Sequence, residues 1–275
     1  MYHSITFYKN DDFTSGVNTY DDWFLIPTSR PVFNPPTVKT KYVDIPGADG
    51  AIDLTETLRK CPVYNNREGS IEFIVENGHR EWWEAYSAIM DYIHGQSVKA
   101  VLEDDPNHYY EGRFSFNDWK SDKDWSRITL DYNLKPYKTN IQSTTEDWIW
   151  DPFNFETGII LKDIIVDSEE YRSFELQNYL GRKPVCPIFT VNAANGIYAK
   201  IYNRELGIDA ETFLRNGTFT NPEIMLSNTN GMNRVTLGFK GHGTVSMDFR
   251  NGGLYCTVYM LMEYVYTAIF PYPMN

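Results

Sequence analysis

Three groups of carboxylates have the types and spacing that could do chemistry in this chain: Glu103, Asp104 and Asp105 in succession, Asp122 with Asp124, and Glu169 with Glu170. Paired carboxylates cleave glycosidic bonds when their surroundings drive their pKa values apart, so that one serves as acid and the other as base or nucleophile. Each group here falls in a segment that reads as a turn, where acidic side chains are ordinarily solvated and help the chain reverse. Glycosidase chemistry is therefore not expected. The same oxygens would suit Ca²⁺, but the spacing of a calcium loop is missing and a solvated turn is the default.

Other reactive constellations are missing from the sequence. His3, His79, His94, His108 and His242 form no HExxH or HxH pair, and no serine sits in a GxSxG elbow. The glycine-rich GFKGHGT (238–244) follows one strand and leads to another, so it reads as a hairpin; a phosphate-cradling loop should open a helix. Asn216-Gly217-Thr218 marks a turn before TFTNPEIML rather than a glycosylation acceptor. Cys61, Cys186 and Cys256 lie far apart without metal-ligand spacing, which points to reduced thiols made in a cytoplasm. No enzyme activity, cofactor or metal is expected.

Composition narrows the class further. The 275 residues exceed one small core, so two domains are expected. Net charge is -12, from 37 acidic and 25 basic residues, and a phosphate backbone would be repelled, so no specific nucleic-acid binding is expected. The start, MYHSITFYKNDDF, has no basic region followed by an apolar stretch, and no apolar run is long enough to span a membrane. YCTVYMLMEYVYTAIF reads instead as a buried terminal strand or strand pair. Aromatic residues make up 16% of the chain, which suits β structure, protein contact surfaces and sugar stacking alike.

The elements that must position these residues are clearest between 67 and 138. GSIEFIVENG alternates Ile71, Phe73 and Val75 against Ser70, Glu72, Ile74 and Glu76, a mostly period-two pattern that reads as a half-buried strand. Next, Trp82, Tyr86, Ile89 and Ile93 recur at helical spacing, with Trp83 and Met90 widening the stripe. Asn77 as N-cap and Gly95 as stop place the helix at 78–94, with those four residues as its core face. KAVLE, YYEGRFSFNDWK and WSRITLDYNLKPYK then form three strands, turning at 103–107 and at 120–124.

SITFYK (4–9) is an opening strand. Residues 13–44 form an extended arm in which Pro27, Pro31, Pro35 and Pro36 forbid a helix or central strand, while Trp23, Phe24, Leu25, Ile26 and Phe33 need cover. Its own domain or a neighbouring subunit would supply that cover. The pattern breaks beyond Lys138, making 139–157 a linker. From 158 to 275, IILKDIIVDS, CPIFTVNA, IYAKIYN, TFTNPEIMLSN, NRVTLGFKG, GTVSMDFRNG and the terminal segment alternate with Asn, Asp and Gly turns, as in an antiparallel sandwich of two sheets. Trp148, Trp150, Tyr198, Tyr202 and Tyr255 are the rings that would stack on sugars, although strand aromatics are more often core or cross-strand partners.

IPGADGAIDLTETL (45–58), the block 67–95 and the block 102–138 together resemble the distal tail protein family of long-tailed bacteriophages, over about half of the chain and in order. The resemblance implies a mainly β, α+β chain: an N-terminal ring-forming β-barrel or sandwich domain with one helix (1–138), then a galectin-like sandwich (158–275). It also implies a homohexameric ring at the distal end of the virion tail, joining the tail tube protein to tail-tip or receptor-binding proteins. A closed ring needs one patch of each subunit to meet a different patch of the next. Candidates are the 13–44 arm with Trp23, Phe24 and Phe33, the edges of the 99–138 meander with Tyr109, Tyr110, Trp119 and Trp125, and the exposed face of the helix. An acidic channel lining would keep DNA from adhering in passage. The rival reading is a carbohydrate-binding module that contacts the host surface.

Overall fold

The structure is a computed structural model, and it describes residues 3–11, 13–57, 62–76, 82–121, 126–141, 153–154, 158–159, 161–178, 188–203, 208–220, 233–248, 252–253 and 260–263. The chain divides into two compact units, residues 1–141 and 142–275. Both are β-rich, their sheets curl, and Trp82–Ile93 is the one helix among the described residues. The mainly β, α+β class is the one expected.

Among the described residues, the first unit is built on ten strands: β1 (Ile5–Tyr8), β2 (Val17–Asn18), β3 (Leu25–Pro27), β4 (Tyr42–Asp44), β5 (Ala51–Asp53), β6 (Arg67–Val75), β7 (Ser97–Leu102), β8 (Asp105–Ser121), β9 (Ser126–Leu134) and β10 (Lys138–Asn140), with helix α1 (Trp82–Ile93) between β6 and β7. Strands run in the order β2-β1-β7-β8-β9-β6-β3, with β10 beside β8. The period-two pattern of β6 is realised: Ile71, Phe73 and Val75 are buried while Ser70 is exposed. In α1, Trp82, Ala85, Ile89 and Ile93 face the core, and burial of Ile89 and Ile93 contributes about 1.5–3 kcal/mol each. Gly95 ends the helix at φ +70°, a conformation a side chain would strain. Tyr86, one turn on from Trp82 and turned toward β8, is only half-buried, at the edge of this face in a second aromatic cluster with Phe116 and Trp119.

Two expectations for this unit are corrected. Glu103 and Asp104 alone make the first turn, since Leu102 already pairs with Asp105; at the second, Lys120 and Ser121 stay in the ladder opposite Arg127 and Ser126. The meander also lacks free edges along its outer strands, because β7 pairs with β1 and β9 pairs with β6.

The second unit contains β11 (Phe153–Asn154), β12 (Gly158–Ile159), β13 (Ile164–Asn178), β14 (Ile188–Asn192), β15 (Ile197–Asn203), β16 (Ile208–Leu214), β17 (Gly217–Thr220), β18 (Asn233–Asp248), β19 (Gly252–Gly253) and β20 (Met260–Glu263). A long antiparallel ribbon of β13 and β18 is its spine. On the other side of β18, its first half pairs with β15 and its second half with β14. The core gathers Phe189, Val191, Ile197, Ile201, Leu237, Phe239, Val245 and Met247.

GFKGHGT is therefore not a hairpin: β18 runs straight through it. Its glycines serve close approach instead, and a Cβ at Gly243 would come within 2.5 Å of Ala193 Cβ and of the Asn192 carbonyl oxygen. Opposite this stretch, β13 shifts register between Ser168 and Arg172, so Glu169 and Glu170 lie in a β-bulge rather than in a turn between strands. Of the terminal apolar segment, Met260–Glu263 is a strand along β13; the rest lies outside the described residues.

Candidate functional site

Of the carboxylates singled out by their spacing, Glu103, Asp104, Asp105 and Glu169 are held in structural roles. Glu103 accepts hydrogen bonds from the Ser4 amide and hydroxyl, at 2.8 and 3.2 Å. Asp104 receives Arg30 Nε at 2.8 Å and His3 Nδ1 at 2.9 Å, and the Arg30 hydrogen bond, aided by His3, holds its carboxyl below the usual range. Although burial works to raise Asp105, hydrogen bonds from His108 (2.7 Å) and Lys138 (2.7 Å) bring it down to about 2. A general acid needs the opposite shift, so this run ties the chain start and the arm to the β7–β8 turn instead. The Lys138 ammonium occupies the position a cation would take at Asp105. Among the described residues, no group of three or more His, Cys, Asp or Glu is placed to hold a metal ion, and no helix is long and apolar enough to cross a membrane. Asp122, Asp124, His79 and all three cysteines lie outside the described residues.

Glu169 and Asp167 grip His242 from both sides, at 3.0 and 2.7 Å. Those two hydrogen bonds, the one to Glu169 first, raise the imidazole above its ordinary value of 6.5. When protonated, the ring donates to both carboxylates and fastens the β13 bulge to β18. A base whose pKa is raised on folding adds stability below about pH 6.5, and loses it as pH rises through the folded value. All three groups are exposed, so the effect on global stability is small. The expected result is an imidazole that titrates above 6.5 by NMR and moves down in Glu169→Gln; a titration unmoved by that change would refute the clamp.

Four of the residues expected at a ring interface are buried in their own unit: Trp23, Phe33, Tyr109 and Tyr110. Phe33 lies 4.7 Å from the ring of Tyr110, 5.0 Å from Tyr132 and 6.1 Å from Phe114, while Trp23 packs on Tyr92 at 5.7 Å. Backbone bonds complete the attachment, with Asn34 N donating to Tyr132 Oη and Thr28 N to the Glu72 carbonyl. The proline-bearing leader is thus folded onto its own body from 13 to 36, because that body supplies the aromatic pocket its rings need. Phe24 is exposed, Trp119 is half-buried, and Trp125 lies outside the described residues.

What does project is the segment that follows. Thr37–Lys39 and Val63–Asn65 pair as a root, through Lys39 N to Val63 O at 2.7 Å and Asn65 N to Thr37 O at 2.8 Å. A cleft of about 710 Å³ lies beside that root, lined by amide and charged side chains including Asn34, Lys39, Asn66 and Glu68. Beyond the root, β4 and β5 form a two-stranded hairpin of their own, with Gly47 and Gly50 at positive φ in its turn. Every residue from 39 to 54 is exposed. Register puts Val43 opposite Ile52, and that face is extended by Ile45 toward the turn and by Leu54 toward the root; Tyr42, Asp44 and Asp53 lie on the other. Val43, Ile45, Ile52 and Leu54 remain 39–48% exposed. A free two-stranded hairpin is marginal in water, and an amphipathic one with an open apolar face is built to lie on something.

A second apolar surface of this unit is aromatic. Trp83 is 62% exposed and stacks on Tyr86 at 5.4 Å; both adjoin Trp119, at 5.8 and 4.8 Å, and Tyr86 meets Phe116 at 4.7 Å. In the second unit, Tyr198 and Tyr202 of β15 are exposed, and Phe213 of β16 joins Tyr198 at 4.9 Å. Lys240 Nζ lies 4.8 Å from the Tyr198 ring and 4.7 Å from that of Tyr171. Trp148, Trp150 and Tyr255 lie outside the described residues.

The described residues thus form two β-rich units with one packed helix, an exposed amphipathic hairpin and aromatic surface patches. The chain is similar to the crystal structure of the SPP1 Dit (gp 19.1) protein, described as a paradigm of the hub adsorption apparatus in phages that infect Gram-positive bacteria. That likeness covers 90% of this chain and 98% of the other, with a TM-score of 0.55 and 12% identity. It carries the fold, which is that of a siphophage distal tail protein, as the sequence resemblance implied. No family model matches the chain, and no curated protein matches it in sequence.

Proposed function

We propose that this protein is a structural subunit of a phage tail tip, in which copies dock side by side in a closed ring that joins the tail tube to tail-tip or receptor-binding proteins. The ring is hexameric if the family resemblance holds. The observation that carries this reading is the β4–β5 hairpin, whose four aliphatic side chains stand in water in the lone chain and would be covered by a neighbour. The acidic balance of the chain, with Asp44 and Asp53 on the other side of the hairpin, suits a channel through which DNA passes without sticking. Antibodies against the chain should decorate the distal end of the tail in micrographs of the virion. Labelling confined to the capsid, or a channel lined mainly by Lys and Arg, would count against the reading.

Carbohydrate binding by the second unit is a second reading, favoured by the exposure of Tyr198, Tyr202 and Phe213 on neighbouring strands. Aromatic faces of this kind stack on sugar rings. Full-length protein is then expected to bind bacterial wall polysaccharides on a glycan array, and Tyr202→Ala to weaken binding by about tenfold, the equivalent of ~1.4 kcal/mol. Absence of binding across the array would remove this reading and leave the ring intact.

A further inference from the structure

We propose that the cleft beside the arm's root binds a neutral saccharide, at a site in the first unit separate from the Tyr198 and Tyr202 surface of the second. Its volume of about 710 Å³ is that of an ordinary ligand pocket, but its walls are unlike the mostly apolar walls such pockets have. Among the described residues that line it, Pro35 is the one apolar side chain; Asn34, Thr37, Lys39, Asn65, Asn66 and Glu68 make up the rest. Recognition there must come from hydrogen bonds. The amides that would make them are held in fixed senses. Asn34 Nδ2 donates to the Glu68 carbonyl at 2.9 Å, a group that can only accept, so Asn34 Oδ1 is the atom left for a ligand. The Glu68 carboxylate fixes Asn66 at one remove. It accepts Asn133 Nδ2 at 2.8 Å, Asn133 Oδ1 therefore turns to Asn66, and Asn66 answers with Nδ2 at 2.7 Å. Asn66 Oδ1 and the second Glu68 oxygen remain as acceptors, while Asn65 is tied to the Thr37 hydroxyl at 3.0 Å.

Among the described residues neither Lys39 nor Glu68 has an ion-pair partner, so the cleft offers several fixed acceptors and one ammonium with three donors. That combination selects by exclusion. An anion meets Glu68 and the amide oxygens, a cation meets Lys39, and an apolar ligand would leave all of these groups without partners. A sugar hydroxyl both donates and accepts, so neighbouring hydroxyls satisfy the oxygens and the ammonium together. An added peptide strand fits less well, because strand addition needs open main-chain groups and those facing each other at the root are already paired, Lys39 N with Val63 O and Asn65 N with Thr37 O.

The test uses full-length protein carrying Tyr202→Ala, which sets the second unit's surface aside, titrated by calorimetry with neutral bacterial wall oligosaccharides, their carboxylated or phosphorylated counterparts, and glycerol. Neutral oligosaccharide is expected to bind in preference to the other probes. Adding Lys39→Met, which removes the ammonium, or Glu68→Gln, which keeps the acceptor for Asn133 and turns the other oxygen into a donor, should each weaken binding by about tenfold. Both positions are exposed, so the unfolding temperature should not move. Preference for the anionic probes, glycerol binding as tightly as oligosaccharide, or affinity unmoved by both changes would overturn the proposal. So would binding that is present in the unaltered protein and lost in Tyr202→Ala, which would assign the saccharide to the second unit instead. Neither result bears on the ring, which is read from particle mass.

Discussion

Full-length protein carrying Ile52→Asp and Leu54→Asp is expected to lose assembly altogether, and to unfold at the same temperature as the unaltered chain. The two effects separate because these side chains belong to no core: they are 48% and 41% exposed and sit on a hairpin that pairs only with itself beyond its root. Placing a carboxylate where an apolar neighbour must lie costs a few kcal/mol for an unpaired charge. Two per contact, repeated at every contact of a closed ring, multiply that loss, since the ring exists only if all contacts hold. Size-exclusion chromatography with light scattering reads the outcome directly. Assembly at the same mass and concentration would mean that the hairpin faces solvent in the finished particle.

The largest effect on stability is expected at Arg67. Its side chain is 1% exposed, with Nε donating to the Pro136 carbonyl at 2.9 Å, an Nη donating to the Asn34 carbonyl at 3.0 Å, and the guanidinium 5.4 Å from the Tyr110 ring centre. One planar group thereby joins the end of the meander to the leader just before the arm's root. Arg67→Met keeps much of the volume and removes the fork, leaving both carbonyls without this donor. At about 1.5–3 kcal/mol for each charged hydrogen bond, a loss of ~4 kcal/mol is expected in urea unfolding. Arg67→Lys should recover only part of it, because a single ammonium cannot reproduce a rigid two-pronged geometry. A loss below ~1 kcal/mol would show that the leader is held by its rings alone.

Legibility in the sequence followed physical cause. β6, α1 and the meander could be read because apolar periodicity records which side is buried, and Phe73, Ile89 and Ile128 are buried as their spacing requires. Trp23 and Phe33 announced a need for cover, but a pattern of types does not say which chain provides it, and here Tyr92, Tyr110 and Tyr132 of the same unit do. Glycine misled at 241 and 243, where the residue signals close packing against Ile197 and Ala193 as readily as it signals a turn. The strongest interface candidate was present in plain view as Val43-Asp44-Ile45 and Ala51-Ile52-Asp53-Leu54 around a Pro-Gly turn. Alternation of that kind ordinarily predicts a face buried at home, and only the fold reveals that this one is bare. The exposure of Trp83 was hidden for the same reason: a helical stripe widened by one residue looks like more core.

Mass measurement on the purified, unaltered protein over a wide concentration range shows whether copies assemble. Ring assembly predicts a discrete particle at an integer multiple of the 32.0 kDa chain, six if the symmetry is that of the resembling family, seen end-on by electron microscopy as a ring with an open centre. A species that stays at 32.0 kDa at the highest concentration reached, with backbone amides of the 41–54 hairpin protected from exchange by its own chain, would contradict it.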